Sequence, residues 1–194
     1  MQFVAGMDEV GRGALAGPLV AAAVVLPRQM QLPSKLRLRD SKTLSPAERQ
    51  DLDRWIRAHA AVVEVESIGV KAINLLGIGW ANRSIYGRLM ARLGPGRYLV
   101  DGNLRLHGLG PSGSCVICRC GGDAQEPAIA AASIVAKVYR DHLMGTLHQT
   151  YPCYGWVRNV GYATEEHRRA VQTSGPCIVH RTLYLRRLLG EEQA

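Results

Sequence analysis

Between Leu19 and Leu26 the chain runs through Leu, Val and Ala without a polar residue, its longest apolar stretch. That run is too short to span a bilayer. Its β-branched and Ala-rich make-up instead reads as a largely buried strand, and a buried strand requires a sheet with helices laid over it. The flanking sequence supplies both. Residues 3–7 read as a strand ending at Asp8-Glu9, with Gly11, Gly13 and Gly17-Pro18 punctuating the turn before the apolar run. Ser45-Pro46-Ala47-Glu48 is a helix start, with Ser45 as cap, Pro46 in the first turn and Glu48 closing a capping box. Leu52, Trp55, Ile56 and Ala60 then form one apolar face. Residues 61–66 alternate Val with Glu, as a strand with one solvated face does. Residues 73–93 fit a helix that Gly77, Gly79 and Gly87 weaken, and Gly94-Pro95-Gly96 stops it. Residues 97–100 form a short strand that delivers Asp101, and 115–118 read as another, buried strand. Pro127 opens a helix over 128–147, and two shorter helices follow near 164–172 and 179–188. The order predicts an α/β fold: a mixed β-sheet flanked by helices, with residues 1–150 as one domain and 151–194 as a C-terminal helical segment packed on it.

The formal charge is +8 and the isoelectric point about 9.6, a balance that favours a polyanionic partner, nucleic acid being the commonest. Residues 27–44 concentrate this charge, with Arg28, Lys35, Arg37, Arg39 and Lys42 against Asp40. The N-terminus has neither the basic start nor the apolar run of a secretory signal, so the five cysteines read as reduced thiols and the compartment as cytoplasmic. Cys115, Cys118 and Cys120 crowd together, but zinc would require a fourth ligand and usually two separated pairs, and the alternating apolar residues fit a strand better.

Three acidic positions stand at strand ends beside glycine: Asp8-Glu9, Asp101 before Gly102, and Asp123 after Gly121-Gly122. In α/β sheets ligands gather where strands end. Several carboxylates brought together repel one another unless a cation neutralises them, and hard oxygen donors without His suit Mg²⁺ or Mn²⁺ rather than zinc. Such a site beside basic residues suits phosphodiester hydrolysis. Any one of these acids is equally a turn residue, since Asp beside Gly is a common turn signal. Asp8 and Glu9 can share a site only if the strand bends or ends between them, because neighbours in a regular strand face opposite ways.

The string Asp8-Glu9-Val10-Gly11-Arg12-Gly13 resembles the signature of ribonuclease HII. The similarity continues through Ala16-Gly17-Pro18, Asp40-Ser41-Lys42, Asp101-Gly102, Gly122-Asp123, the block from Ala131 to Asp141, Gly161-Tyr162-Ala163-Thr164-Glu165-Glu166-His167 and His180-Arg181. The resemblance implies a ribonuclease H-like sheet and cleavage of the RNA strand in RNA–DNA hybrids, including single ribonucleotides embedded in duplex DNA, leaving 3′-hydroxyl and 5′-phosphate ends. It implies that Asp8, Glu9, Asp101 and Asp123 are the catalytic acids that hold divalent Mg or Mn. Asp141, one turn after Lys137, reads as an intrahelical ion-pair partner. The chain departs from the family's pattern at Val160 and Gly121, where basic residues are usual, at Ile68-Gly69-Val70-Lys71, and at Thr182-Leu183.

By the same resemblance Gly11, Arg12 and Gly13 form the turn that senses the ribose 2′-hydroxyl, the group that separates RNA from DNA, with Arg12 reaching a phosphate. Tyr162 matches the tyrosine at the RNA–DNA junction. Lys42 is placed to hold a phosphate or to be solvated, and Ser133 and Lys137, four apart, share a helix face that meets the nucleic-acid backbone or makes local bonds. His167 and His180 read as capping or core residues as readily as catalytic ones. The expected protein is a monomer that binds ribonucleotide-containing duplexes and no membrane. A non-cleaving hybrid-binding module of the same fold is the alternative, although a pure binder has no use for four carboxylates facing a phosphate. Another carboxylate nuclease, such as a junction resolvase, would share the acids but not Gly11-Arg12-Gly13 or Tyr162.

Overall fold

The computed structural model describes residues 3–27, 44–106 and 108–189. Most of the basic loop, Lys42 included, lies outside them. Five strands form one mixed sheet in the order β3-β2-β1-β4-β5: β1 (Val4–Val10), β2 (Leu19–Val25), β3 (Val62–Ile68), β4 (Arg97–Asp101) and β5 (Cys115–Arg119). β1–β2 and β2–β3 are antiparallel, whereas β1–β4 and β4–β5 are parallel. Every residue of β2 is buried, as its unbroken apolar run requires.

Helices cover both faces. On one, α2 (Val70–Leu93) lays Ile73, Ala81, Ile85, Tyr86, Leu89 and Met90 against Ala5, Met7, Leu19, Ala21 and Ala23. On the other, α1 (Pro46–His59) and α3 (Pro127–Thr150) pack Leu52, Ile56, Ala131, Ile134 and Val135 against Val20, Ala22 and Val24. Each buried Leu, Ile or Val side chain contributes about 1.5–3 kcal/mol. The α1 capping box is formed: Ser45 Oγ accepts from Glu48 N–H, and the Glu48 side chain accepts from Ser45 N–H. α2 contains the break foreshadowed by its glycines, since Gly77 sits at φ 83°, outside the helical region.

Two expectations are corrected. β1 does not stop before Asp8-Glu9 but continues to Val10, because Asp8 and Glu9 pair with Ala22 and Ala21 of β2. β5 is not buried: it is the edge strand, with Cys115 exposed and the remainder half-buried, since only β4 covers its backbone.

After α3 come α4 (Trp156–Asn159), α5 (Glu165–Ser174) and α6 (Thr182–Leu189). Trp156, Val171 and Leu185 cluster with Tyr154, Ala16 and Met144. Among the described residues no helix is long and apolar enough to cross a membrane.

Candidate active site

The parallel half of the sheet assembles the site. β1, β4 and β5 lie side by side and run the same way, so their carboxyl ends open on one edge. One step beyond the Met7–Val100 pair stand Asp8 and Asp101. Immediately after β5, Gly121 turns the chain at φ 64° into a short 3₁₀ turn that carries Asp123. The cavity at this edge, about 570 Å³, is lined by Asp8, Glu9, Asp101 and Asp123 together with Gly11, Arg12, Gly13, Ser133, Lys137 and Tyr162. Every described residue proposed for the site therefore lines one cavity, and Arg49 of α1, unmarked in the sequence, joins them.

Asp8 and Glu9 share the cavity although the strand neither bends nor ends between them. Asp8 lies on the α3 side, where its carboxyl is hydrogen-bonded by Ser133 and by Glu9 N–H at 2.8 Å. Glu9 lies on the α2 side, where Tyr86 Oη donates to one carboxylate oxygen and Asn82 Nδ2 to the other at 3.4 Å. Asp101 Oδ1 accepts from Gly122 N–H at 2.7 Å, tying β4 to the Asp123 turn. Gly6 allows this closeness: a Cβ there would stand 2.0 Å from the Ala128 carbonyl carbon, so only glycine lets β1 touch the start of α3.

Electrostatically the site is an unneutralised cluster. Among the described residues none of the four acids forms an ion pair. Burial pushes the Asp8 carboxyl from 3.8 up to about 7; the Ser133 hydrogen bond opposes the rise, and the Glu9 and Asp101 charges add to it. Burial, reinforced by Glu9 and Asp8, also drives the Tyr86 hydroxyl well above its ordinary value, so it remains a donor to Glu9. Converging hard-oxygen donors with no cationic side chain among them fit a divalent cation of the Mg²⁺ or Mn²⁺ kind. Among the described residues no three His, Cys, Asp or Glu side chains form a ready-made metal cluster.

Opposite the acids, the Gly11–Gly17 turn is held by residues the sequence reading left without a role. Arg140 and Arg181 are wholly buried, and each spends its guanidinium on backbone carbonyls. Arg140 donates to Pro18, Val160 and Ala16, and Arg181 to Gly17 and Arg12. Gly11 has φ 89°, and a Cβ there would meet Arg140 Nε at 2.2 Å. Tyr162 is half-buried beneath the Arg140 guanidinium, 5.3 Å from its ring centre, and its hydroxyl accepts from Gly11 N–H at 3.2 Å. Arg140 follows Ile129, Ala132 and Ala136 on the buried stripe of α3. An arginine in register with an apolar face was the signal available.

Ser133 and Lys137 both face the cavity; Lys137 also makes the local ion pair with Asp141, whereas Ser133 acts across elements on the Asp8 carboxyl of β1. His167 and His180 are buried in the core, exposed by 0% and 2%, and do not line the cavity. The cysteines near 115–120 form no metal cluster.

Comparison with known proteins agrees with this architecture. The family model described as ribonuclease HII matches residues 5–187. Ribonuclease HII of Synechococcus sp. (strain JA-3-3Ab) is 43% identical over 181 residues, covering 93% of this chain and 80% of that protein. That of Paracidovorax citrulli (strain AAC00-1) is 46% identical, covering 92% of this chain and 72% of its own length. Among solved structures, ribonuclease HII from the Archaeoglobus fulgidus PCNA complex superposes with a TM-score of 0.80 at 28% identity, covering 92% of this chain and 93% of that one. Ribonuclease H2 from Pyrococcus horikoshii OT3 gives 0.80 at 25% identity, with 97% of each chain covered.

Proposed function

The chain belongs to the ribonuclease HII family of metal-dependent hydrolases, and from that premise we propose that it cleaves the RNA strand of RNA–DNA hybrids and cuts at single ribonucleotides in duplex DNA by two-metal-ion hydrolysis. In this reading residues 1–150 are the catalytic domain, and 151–194 a helical segment packed on it. The observation that carries the proposal is the cavity lined by the Asp8, Glu9, Asp101 and Asp123 carboxylates together with the Gly11–Gly13 turn and Tyr162.

Asp8 and Asp101 would be the principal ligands, with Glu9 and Asp123 completing the coordination or positioning water. Bound Mg²⁺ or Mn²⁺ would neutralise the acids, lower the pKa of the attacking water and offset charge on the leaving oxygen. The protein's own groups do the rest. Tyr86 and Asn82 orient Glu9. Gly122 N–H fixes Asp101. Among the described residues the exposed Arg12 side chain forms no ion pair, and it suits a phosphate. Gly13 supports sugar recognition in a specific way: a Cβ there would meet nothing within 4 Å and its φ is ordinary. Neither packing nor strain explains the glycine, whereas close approach of a ribose does. Tyr162 would contact the ribonucleotide, with Ser133, Lys137 and Lys42 holding backbone phosphates.

The test is a cleavage panel. Labelled duplexes with one ribonucleotide, a full RNA–DNA hybrid and all-DNA are incubated with Mg²⁺, Mn²⁺ or chelator, and product ends are mapped. Metal-dependent cutting of the first two, with 3′-hydroxyl and 5′-phosphate ends, is expected. A metal-independent mobility shift without cleavage would favour the binding module, and cutting of all-DNA duplexes the other carboxylate nucleases.

A further inference from the structure

We infer that His167 and His180 are positioning residues for Tyr162, acting through a hydrogen-bonded chain that ends on the Tyr162 carbonyl. The inference rests on the reading of Tyr162 as a ribonucleotide contact only for its effect on cleavage. The chain itself follows from donor and acceptor chemistry.

Both imidazoles are buried, and each ring nitrogen has a partner. Trp156 Nε1 approaches His167 Nε2 at 3.0 Å. Indole N–H only donates, so His167 Nε2 accepts and carries no proton. The proton of neutral His167 is therefore on Nδ1, which donates to the Tyr162 carbonyl at 2.9 Å. His180 is fixed by the same logic. Its Nδ1 accepts from Cys177 N–H at 3.0 Å, so its proton is on Nε2, facing His167 Nε2 at 3.1 Å, whose one lone pair it shares with Trp156 Nε1–H. Each histidine has one tautomer consistent with its surroundings, and the donors run Cys177 N–H to His180, His180 to His167, His167 to Tyr162.

Both ends of this chain meet the turn opposite the acids. Tyr162 Oη holds Gly11 N–H, and the His180 backbone bridges to Ala16 within the same turn. Rotation of the His167 ring would remove one of the two bonds on the Tyr162 carbonyl, leaving that from Thr164 N–H at 2.9 Å, and would so loosen the hydroxyl resting on Gly11. The histidines thus act through Tyr162 without lining the cavity.

The two nitrogens of His167 can be replaced separately. Asparagine places an amide N–H near the Nδ1 position and keeps the bond to Tyr162, but leaves Trp156 Nε1–H and His180 Nε2–H without an acceptor. Glutamine reaches the Nε2 position and accepts those two, but offers nothing to the Tyr162 carbonyl. Positioning therefore predicts opposite orders for stability and function. His167→Gln should melt higher than His167→Asn, yet cut a single-ribonucleotide duplex roughly 3- to 10-fold less efficiently, the loss of one neutral hydrogen bond. Amide exchange at Gly11, read by NMR in the substrate-free protein, should be faster in His167→Gln and near wild type in His167→Asn. Exchange and cleavage that both follow melting temperature would overturn the inference and leave the histidines as core residues. If Gly11 exchange behaves as expected but cleavage is unchanged in His167→Gln and in Tyr162→Phe, the positioning chain stands and the substrate role of Tyr162 falls.

Discussion

Replacing Asp8 by Asn should make the metal-free protein more stable while abolishing its cleavage. Asp8 is a buried carboxyl whose pKa stands at about 7 against 3.8 ordinarily. The native state therefore holds a proton that the unfolded chain releases, and the penalty for ionising Asp8 is absent below the unfolded value. It grows as pH rises from 3.8 to about 7, and is constant above. Three pH units correspond to about 4 kcal/mol. Asn removes the charge, and its amide oxygen still accepts from Glu9 N–H, so most of that penalty disappears. For a chain of this length each kcal/mol moves the melting temperature about 2–4 °C, so recovering about 3 kcal/mol raises it by roughly 6–12 °C at pH 8. The assay is thermal unfolding by circular dichroism of chelator-treated wild type and Asp8→Asn from pH 4.5 to 8.5. The gap should widen up to about pH 7. Adding Mg²⁺ or Mn²⁺ should then close much of the gap, because a ligand at 100 times its dissociation constant stabilises the binding-competent form by about 2.7 kcal/mol. A gap independent of pH, or equal metal stabilisation of both proteins, would refute the reasoning that Asp8 is an unneutralised metal ligand.

Gly6→Ala should cost about 3 kcal/mol or more, since the new methyl meets the α3 backbone rather than a movable side chain; a urea midpoint near wild type would show that β1 and α3 do not touch there. Gly13→Ala, in contrast, should leave the urea midpoint within about 0.5 kcal/mol while impairing cleavage of ribonucleotide-containing duplexes, and unimpaired turnover would remove Gly13 from the substrate turn. Tyr86→Phe deletes the hydroxyl that donates to Glu9 and should weaken Mn²⁺ binding by about 10-fold in a calorimetric titration; unchanged affinity would mean that Glu9 needs no such support. Burial lowers His180 to about 4, and His167 also lies below its ordinary 6.5. Their contribution to stability is therefore present above pH 6.5 and lost as pH falls toward 4, the reverse of Asp8. In the Asp8→Asn background, His180→Asn should flatten the decline in melting temperature between those values, and an unaltered slope would assign the decline to other groups.

Much of the fold was legible because its signals are local. The apolar run of β2, the Ser45–Glu48 capping box, the Val–Glu alternation of β3 and Pro127 at the head of α3 each act within a few residues, and each element formed where expected. The errors arose where neighbours decide. β1 was expected to end at Asp8, but pairing with Ala22 and Ala21 carries it to Val10. The cysteine strand was expected to be buried, but it lies at the edge of the sheet, a position that its own residues do not encode.

The candidate site divides in the same way. Sequence alone determined which acids stand next to glycine near the strands, because strand-forming patterns and turn residues are properties of short segments. Only the tertiary structure decided that β1, β4 and β5 lie side by side and parallel, which turns three distant strand ends into one carboxylate-lined edge. It also decided that Glu9 and Asp8, on opposite faces of one strand, open into the same cavity, and that Arg140 and Arg181 are buried against backbone carbonyls. Strand order is set by which apolar faces find cover across the whole chain, and a buried guanidinium persists only where folded carbonyls surround it. Neither condition exists until the chain has closed on itself.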